Sequence, residues 1–226
     1  MDSAILNLLI ENAISPDADA SDLTMTLSSK KLNSEEAEKI LLAVCKADIF
    51  RAATTVHSIL GEAKEKYVNF VYEKLLERCE NPALLTKSEL LAILVYDDFN
   101  LFCRVISHVS PEKIKDTFYK ISTTNACRFM RMCIDFGDAH LIKLCENEFF
   151  TLLGSFDSRG CDELSVLLPK LTLHGCANIV TRLLDFFTPA QLSRLYGEGF
   201  GDGLKDLITS GYESPAIWDA FFYDFF

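Results

Sequence analysis

Residues 131–150 read RMCIDFGDAHLIKLCENEFF: an apolar stretch, a glycine, and a second apolar stretch with Leu141, Ile142 and Cys145 at 4, 5 and 8 positions past Gly137. Residues 169–187, PKLTLHGCANIVTRLLDFF, repeat the pattern. Gly175 is followed at 4 and 5 positions by Ile179 and Val180, and at 8 and 9 by Leu183 and Leu184. Apolar residues one helical turn apart share a face, and glycine adopts the left-handed backbone that ends a helix without a Cβ penalty. Each stretch therefore predicts a helix, a glycine turn and a second helix.

The same register extends in both directions. Counted from Asp97 it meets Leu101, Phe102, Val105 and Ile106; counted from Glu213 it meets Ile217, Trp218, Phe221 and Phe222. The reference positions 97, 137, 175 and 213 are separated by 40, 38 and 38 residues, and a period of that length marks a repeat architecture. SPEKI (110–114) and TPAQL (188–192), 78 residues apart, each place a hydroxyl cap before a proline at the first helical position, adding a short third helix to two of the units. The expected fold is all-α: an α-solenoid of stacked helix-turn-helix repeats over residues 83–226, with a period of 38–40 residues.

Gly175-Cys176, Ile179-Val180 and Leu183-Leu184 resemble the middle of an ankyrin repeat, which has Gly-His, two aliphatics and two leucines at these offsets. The Thr-Pro-Leu-His opening is absent and the period exceeds the ankyrin period of about 33 residues, so the chain is also similar to an armadillo-like solenoid. Both resemblances imply helical pairs that bury their apolar faces only against neighbours, and a groove that binds protein segments.

Residues 1–82 are expected to form N-terminal helices with an acidic linker, either capping the solenoid or continuing it. Ile5, Leu6, Leu9 and Ile10 lie on one helical stripe, and the small, acidic stretch 15–34 reads as a linker or ordered loop. Glu35 to about Ser58 predicts a helix or a bent pair capped by Asn33 or Ser34. Val68, Val71, Tyr72, Leu75, Leu76 and Cys79 define one face of a further helix, which Asn81-Pro82 stops.

Composition narrows the function. The 33 acidic and 22 basic residues give a net charge of −11, which disfavours a phosphate-backbone binder, and the 17 phenylalanines fall at core intervals without basic interleaving. No run reaches the roughly 18 apolar residues of a membrane span, and the N-terminus has no basic region typical of a secretory signal. The eight cysteines lack the tight pair spacing of a zinc site, even where Cys127, Cys133, His140 and Cys145 lie close in sequence; they read as reduced core thiols of a cytosolic protein. Cys161, in FDSRGCDEL beside Arg159, is the best candidate nucleophile, but no histidine stands at a characteristic distance. The glycines at 197, 199, 201 and 203 match no phosphate-binding loop and read as a hinge, while the aromatic tail SPAIWDAFFYDFF (214–226) reads as the closing piece of the core.

What remains is a surface. The chain is expected to be a non-catalytic protein-interaction module without cofactor or metal, acting in the cytoplasm as an adaptor, an inhibitor or a bacterial effector, the last in a host cytosol. The alternative is an enzyme of unfamiliar helical fold with a cysteine nucleophile. The candidate partner contacts, polar residues of the first helices and the turns, are Asp98, Arg128, Arg131, Asp138, His140, Lys170 and Lys205.

Overall fold

The computed structural model describes residues 2–18, 20–29, 32–61, 63–152, 163, 164 and 167. The expected turns at 175 and 213, Cys161, Lys170, Lys205, the glycine cluster and the aromatic tail lie outside the described residues. Among the described residues every regular element is helical. The chain divides into two compact units, Met1–Lys113 and Ile114–Phe226.

The first unit opens with α1 (Ser3–Ile14) and α2 (Ala20–Leu27). Asp2 caps α1 by accepting the Ala4 amide at 3.0 Å. The stripe that faces inward on α1 is Leu6, Leu9, Ile10 and Ala13, so Ile5, expected on it, is instead 51% exposed. The acidic stretch taken for a linker or loop contains α2. Two leucines one turn apart, Leu23 and Leu27, are nearly fully buried and α2 packs on α4, so tertiary burial overrides the weak helix preference of a Ser/Asp/Thr-rich segment.

The stretch 34–58 is the bent pair, not one helix: α3 (Ser34–Ala47) and α4 (Ile49–Ser58) meet at Asp48. Asn33 accepts the Glu36 amide at 2.9 Å while the Glu36 carboxylate accepts the Asn33 amide at 3.0 Å, a reciprocal capping box. Asp48 ends α3 and caps α4 by accepting the Arg51 amide, and it also accepts the Ser88 hydroxyl at 2.6 Å. The central helix is α4, which packs against α2, α3, α5 and α6 and buries Ile49, Ala52, Ala53 and Val56 completely.

On α5 (Ala63–Cys79) the expected apolar face buries Val71, Leu75 and Cys79, joined by Tyr67 a turn earlier. A short 3-10 turn at Pro82–Leu84 follows, and then α6 (Lys87–Tyr96) and α7 (Phe99–Ile106). Helices on both sides of Pro82 pack together, α6 against α4 and α5. A buried carboxylate locks this corner. Glu89 accepts the Thr86 amide at 2.8 Å and pairs with Arg78, whose guanidinium also donates to the Lys46 carbonyl at the C-terminal end of α3.

Asp97 carries the left-handed turn between α6 and α7, at φ 51°, and Asp98 caps α7 by accepting the Leu101 amide at 2.9 Å. The register residues Leu101, Phe102, Val105 and Ile106 are all buried. The Ser110-Pro111 pair starts α8 (Pro111–Phe118), as expected of that motif.

In the second unit the hairpin of α9 (Thr123–Phe136) and α10 (Ala139–Phe150) turns at Gly137, whose φ is 79°. The Gly137 amide closes onto the Cys133 and Ile134 carbonyls at 3.2 and 3.0 Å, and Asp138 caps α10 through the His140 and Leu141 amides. Leu141 and Cys145 are buried and Ile142 is half-buried. Phe118 meets Phe129 edge-on at 5.2 Å, inside a core that includes Phe149.

Candidate functional site

The sequence-expected contact residues fall into separate settings. Asp98 belongs to the α6–α7 turn of the first unit; Arg128, Arg131, Asp138 and His140 belong to the α9–α10 hairpin of the second. Arg128 is ion-paired with Glu163, at 2.8 Å from both Nε and Nη2. Arg131 is half-buried, whereas Asp138 and His140 are exposed, with Asp138 committed to its cap.

Asp98 does more. Beyond its cap, its second carboxylate oxygen accepts the Tyr72 hydroxyl, which ties the α6–α7 turn to α5. Around this bond lies an open cleft of about 490 Å³. Val68, Asn69 and, a turn further along α5, Tyr72 form one wall. Tyr96, the last residue of α6, forms the back, and Asp97, Asp98, Phe99 and Asn100 form the facing rim. A second cleft of about 470 Å³ adjoins it through Val68 and is bordered by His57, Lys64 and Glu65.

The aromatic wall is fixed. The Tyr96 hydroxyl donates to the Val68 carbonyl at 2.9 Å, its ring lies 5.0 Å from that of Tyr72, and His57 meets it edge-on at 4.8 Å. His57 Nδ1 lies 2.9 Å from the Ala53 carbonyl. A carbonyl only accepts, so Nδ1 is the donor in this contact. The hydrogen bond to the Asp98 carboxylate, followed by burial, pushes the Tyr72 phenol up to about 12, and burial raises that of Tyr96 further. Both remain neutral donors at physiological pH, anchored as walls and unsuited to moving protons.

The thiols are similarly quiet. Burial pushes Cys45 up to about 12 and Cys79 to about 11; burial and the Cys145 sulfur, 3.8 Å away, raise Cys133. A protonated, buried thiol is a poor nucleophile and a poor metal ligand. Among the described residues no three His, Cys, Asp or Glu side chains cluster as a metal site, and no helix is long and apolar enough to cross a membrane.

No protein-family model matches this chain, and no curated protein or solved structure matches it either. The site is therefore defined by its own geometry. Of its residues, sequence reasoning singled out only Asp98 as a contact and treated Tyr72 as core. A signal was present: a tyrosine on a buried stripe requires a partner for its hydroxyl, and an aspartate at a turn is the natural acceptor.

Proposed function

We propose that this chain is a non-catalytic helical-repeat protein that binds another protein, and that its contact surface includes the cleft between α5 and the α6–α7 turn. The observation that carries this is the rigid setting of that cleft. Tyr72, Tyr96 and Asp98 are hydrogen-bonded into fixed positions, while Asn69, Phe99 and Asn100, which also line the cleft, are exposed. Preorganised aromatic anchors beside amide groups are the usual makings of a protein-recognition surface.

The solenoid reading draws support from two features. A left-handed residue followed by an aspartate cap recurs 40 residues apart, at 97–98 and 137–138. Within the first unit, helices two apart in sequence pack side by side, α3 with α5 and α4 with α6, as in stacked helical pairs. Five of the six described cysteines are buried, the setting of core thiols in a reducing compartment such as the cytoplasm, where an adaptor, inhibitor or delivered effector would act.

Affinity capture with the full-length chain, followed by calorimetry on the purified pair, tests this. A stoichiometric partner should be retained, and filling the cleft with Asn69→Trp or Asn100→Trp should weaken it at least tenfold. Retention of no protein, or a partner indifferent to both substitutions, would overturn the assignment of this surface.

A further inference from the structure

The charge of the cleft specifies what it takes. Among the described residues, its lining contains two aspartates and neither lysine nor arginine. The Asp98 carboxylate accepts from two neutral donors, the Leu101 amide and the Tyr72 hydroxyl, so these bonds hold it in place without cancelling its charge. Arg104, whose charge reaches Tyr72, stands outside the lining. Tyrosine rings attract cations through their quadrupole, by roughly 0.5–2 kcal/mol according to how far the cation is desolvated. A net charge of −11 adds long-range attraction for a basic partner and repels an acidic one.

We propose that the Tyr72–Tyr96–Asp98 cleft binds the cationic side chain, lysine or arginine, of an extended segment of the partner protein. The cation lies against the tyrosine wall beside Asp97 and Asp98, and the exposed Asn69 and Asn100 amides are placed to bond the backbone of the segment. Val68 joins this cleft to the one beside His57, giving room for a neighbouring side chain. The inference rests on the chain being a protein-binding module.

The test is a titration of the ¹⁵N-labelled full-length chain with the capped tripeptide Gly-Arg-Gly, followed by NMR. Saturable shifts are expected at Asn69, Tyr72 and residues 97–100, and the neutral isostere with citrulline in place of arginine should bind at least fivefold more weakly. The double variant Asp97→Asn, Asp98→Asn should lose at least fivefold in affinity for the arginine peptide. Asparagine still accepts the cap hydrogen bond and tolerates the left-handed backbone, and its NH2 can donate to the Tyr72 oxygen from which the carboxylate accepted, so the turn is kept while the charge is removed. The matched control, Asp17→Asn with Asp22→Asn, removes two exposed charges elsewhere on the first unit and should stay within twofold.

Equal binding of the citrulline peptide, or an equal loss in the control, would overturn the proposal. So would spermine that binds this cleft more tightly than the peptide, since the cation would then come from a free polyamine. A captured protein whose affinity ignores Asp97→Asn, Asp98→Asn but falls with Asn100→Trp refutes the cation site alone. Arginine-peptide binding without any captured protein refutes the protein-binding function instead.

Discussion

The α6–α7 and α9–α10 hairpins make the same turn with different residues. Both end the first helix on a left-handed residue, and both start the second on an aspartate cap. At the left-handed position one has Asp97 and the other Gly137. A Cβ at Gly137 would meet nothing within 4 Å, so that glycine answers to the backbone alone. Asp97 accepts a less favourable conformation and sets a carboxylate at the rim of a cleft. The caps diverge in the same sense: Asp98 is also held by a tyrosine hydroxyl, whereas Asp138 serves its helix and faces solvent. The α9–α10 turn carries one carboxylate, a cap; the α6–α7 turn carries two, one of them tied to a tyrosine.

The largest expected contrast lies in the core positions that the register makes equivalent. Phe102 is completely buried and Ile142 half-buried, so Phe102→Ala should cost about 3–5 kcal/mol and Ile142→Ala about 1–2 kcal/mol. Urea denaturation reads both, and equal losses would overturn the contrast in burial between these two positions. Next comes the lock before α6; before α9 the Ser122 hydroxyl caps the helix by accepting the Asn125 amide. Burial pushes the Glu89 carboxyl up, but the Thr86 hydroxyl and amide and Arg78 outweigh it and hold the group below its ordinary value of about 4.5. The lowered value means its stabilisation is fully present above that ordinary value and is lost as pH falls through the folded one. Glu89→Gln should cost about 2 kcal/mol at pH 7 and flatten the fall in stability from pH 5 to 3; an unchanged acid profile would remove Glu89 from the lock.

Two smaller effects bear on the turns. Gly137→Ala should cost about 1 kcal/mol, because alanine gains no contact and loses the left-handed conformation. A substitution without cost, measured by thermal melting, would mean that the turn is not held at that φ. Asp97→Gly should change stability by under about 0.5 kcal/mol, since relief of strain is offset by the extra freedom glycine gives the unfolded chain. Arginine-peptide affinity should nevertheless fall, which separates the display role of Asp97 from any folding role.

Both hairpins were legible in the sequence because doubled apolar positions one turn apart, measured from 97 and 137, admit one burial pattern. The junction at Asp48 was legible only as a bend within 35–58. Helix α2 was not, since two leucines in a run of serine, threonine and aspartate carry little periodicity, and only packing on α4 makes them a face. The inward stripe of α1 was misplaced by one residue at Ile5 for a related reason: Leu6, Leu8 and Leu9 offer several stripes, and neighbouring helices choose among them. The cleft escaped because Tyr72, Tyr96 and Asp98 come from three elements, and no local spacing announces that a hydroxyl on α5 will meet a cap on α7. Cys133 and Cys145 were read as core thiols; their approach to 3.8 Å follows from lying four residues before and eight after the same left-handed glycine.

That thiol pair gives the hairpin a clock. Both sulfurs are buried, and Cys133 is held protonated by its surroundings, so a thiolate-selective alkylating reagent attacks only in the moments when α9 and α10 part. The rate of labelling at this site counts openings of the second unit, and labelling of Cys45 and Cys79 counts openings of the first. With reagent and mass spectrometer alone, the local stability of each unit can be timed separately, in a cell extract as readily as in buffer, before and after a partner arrives.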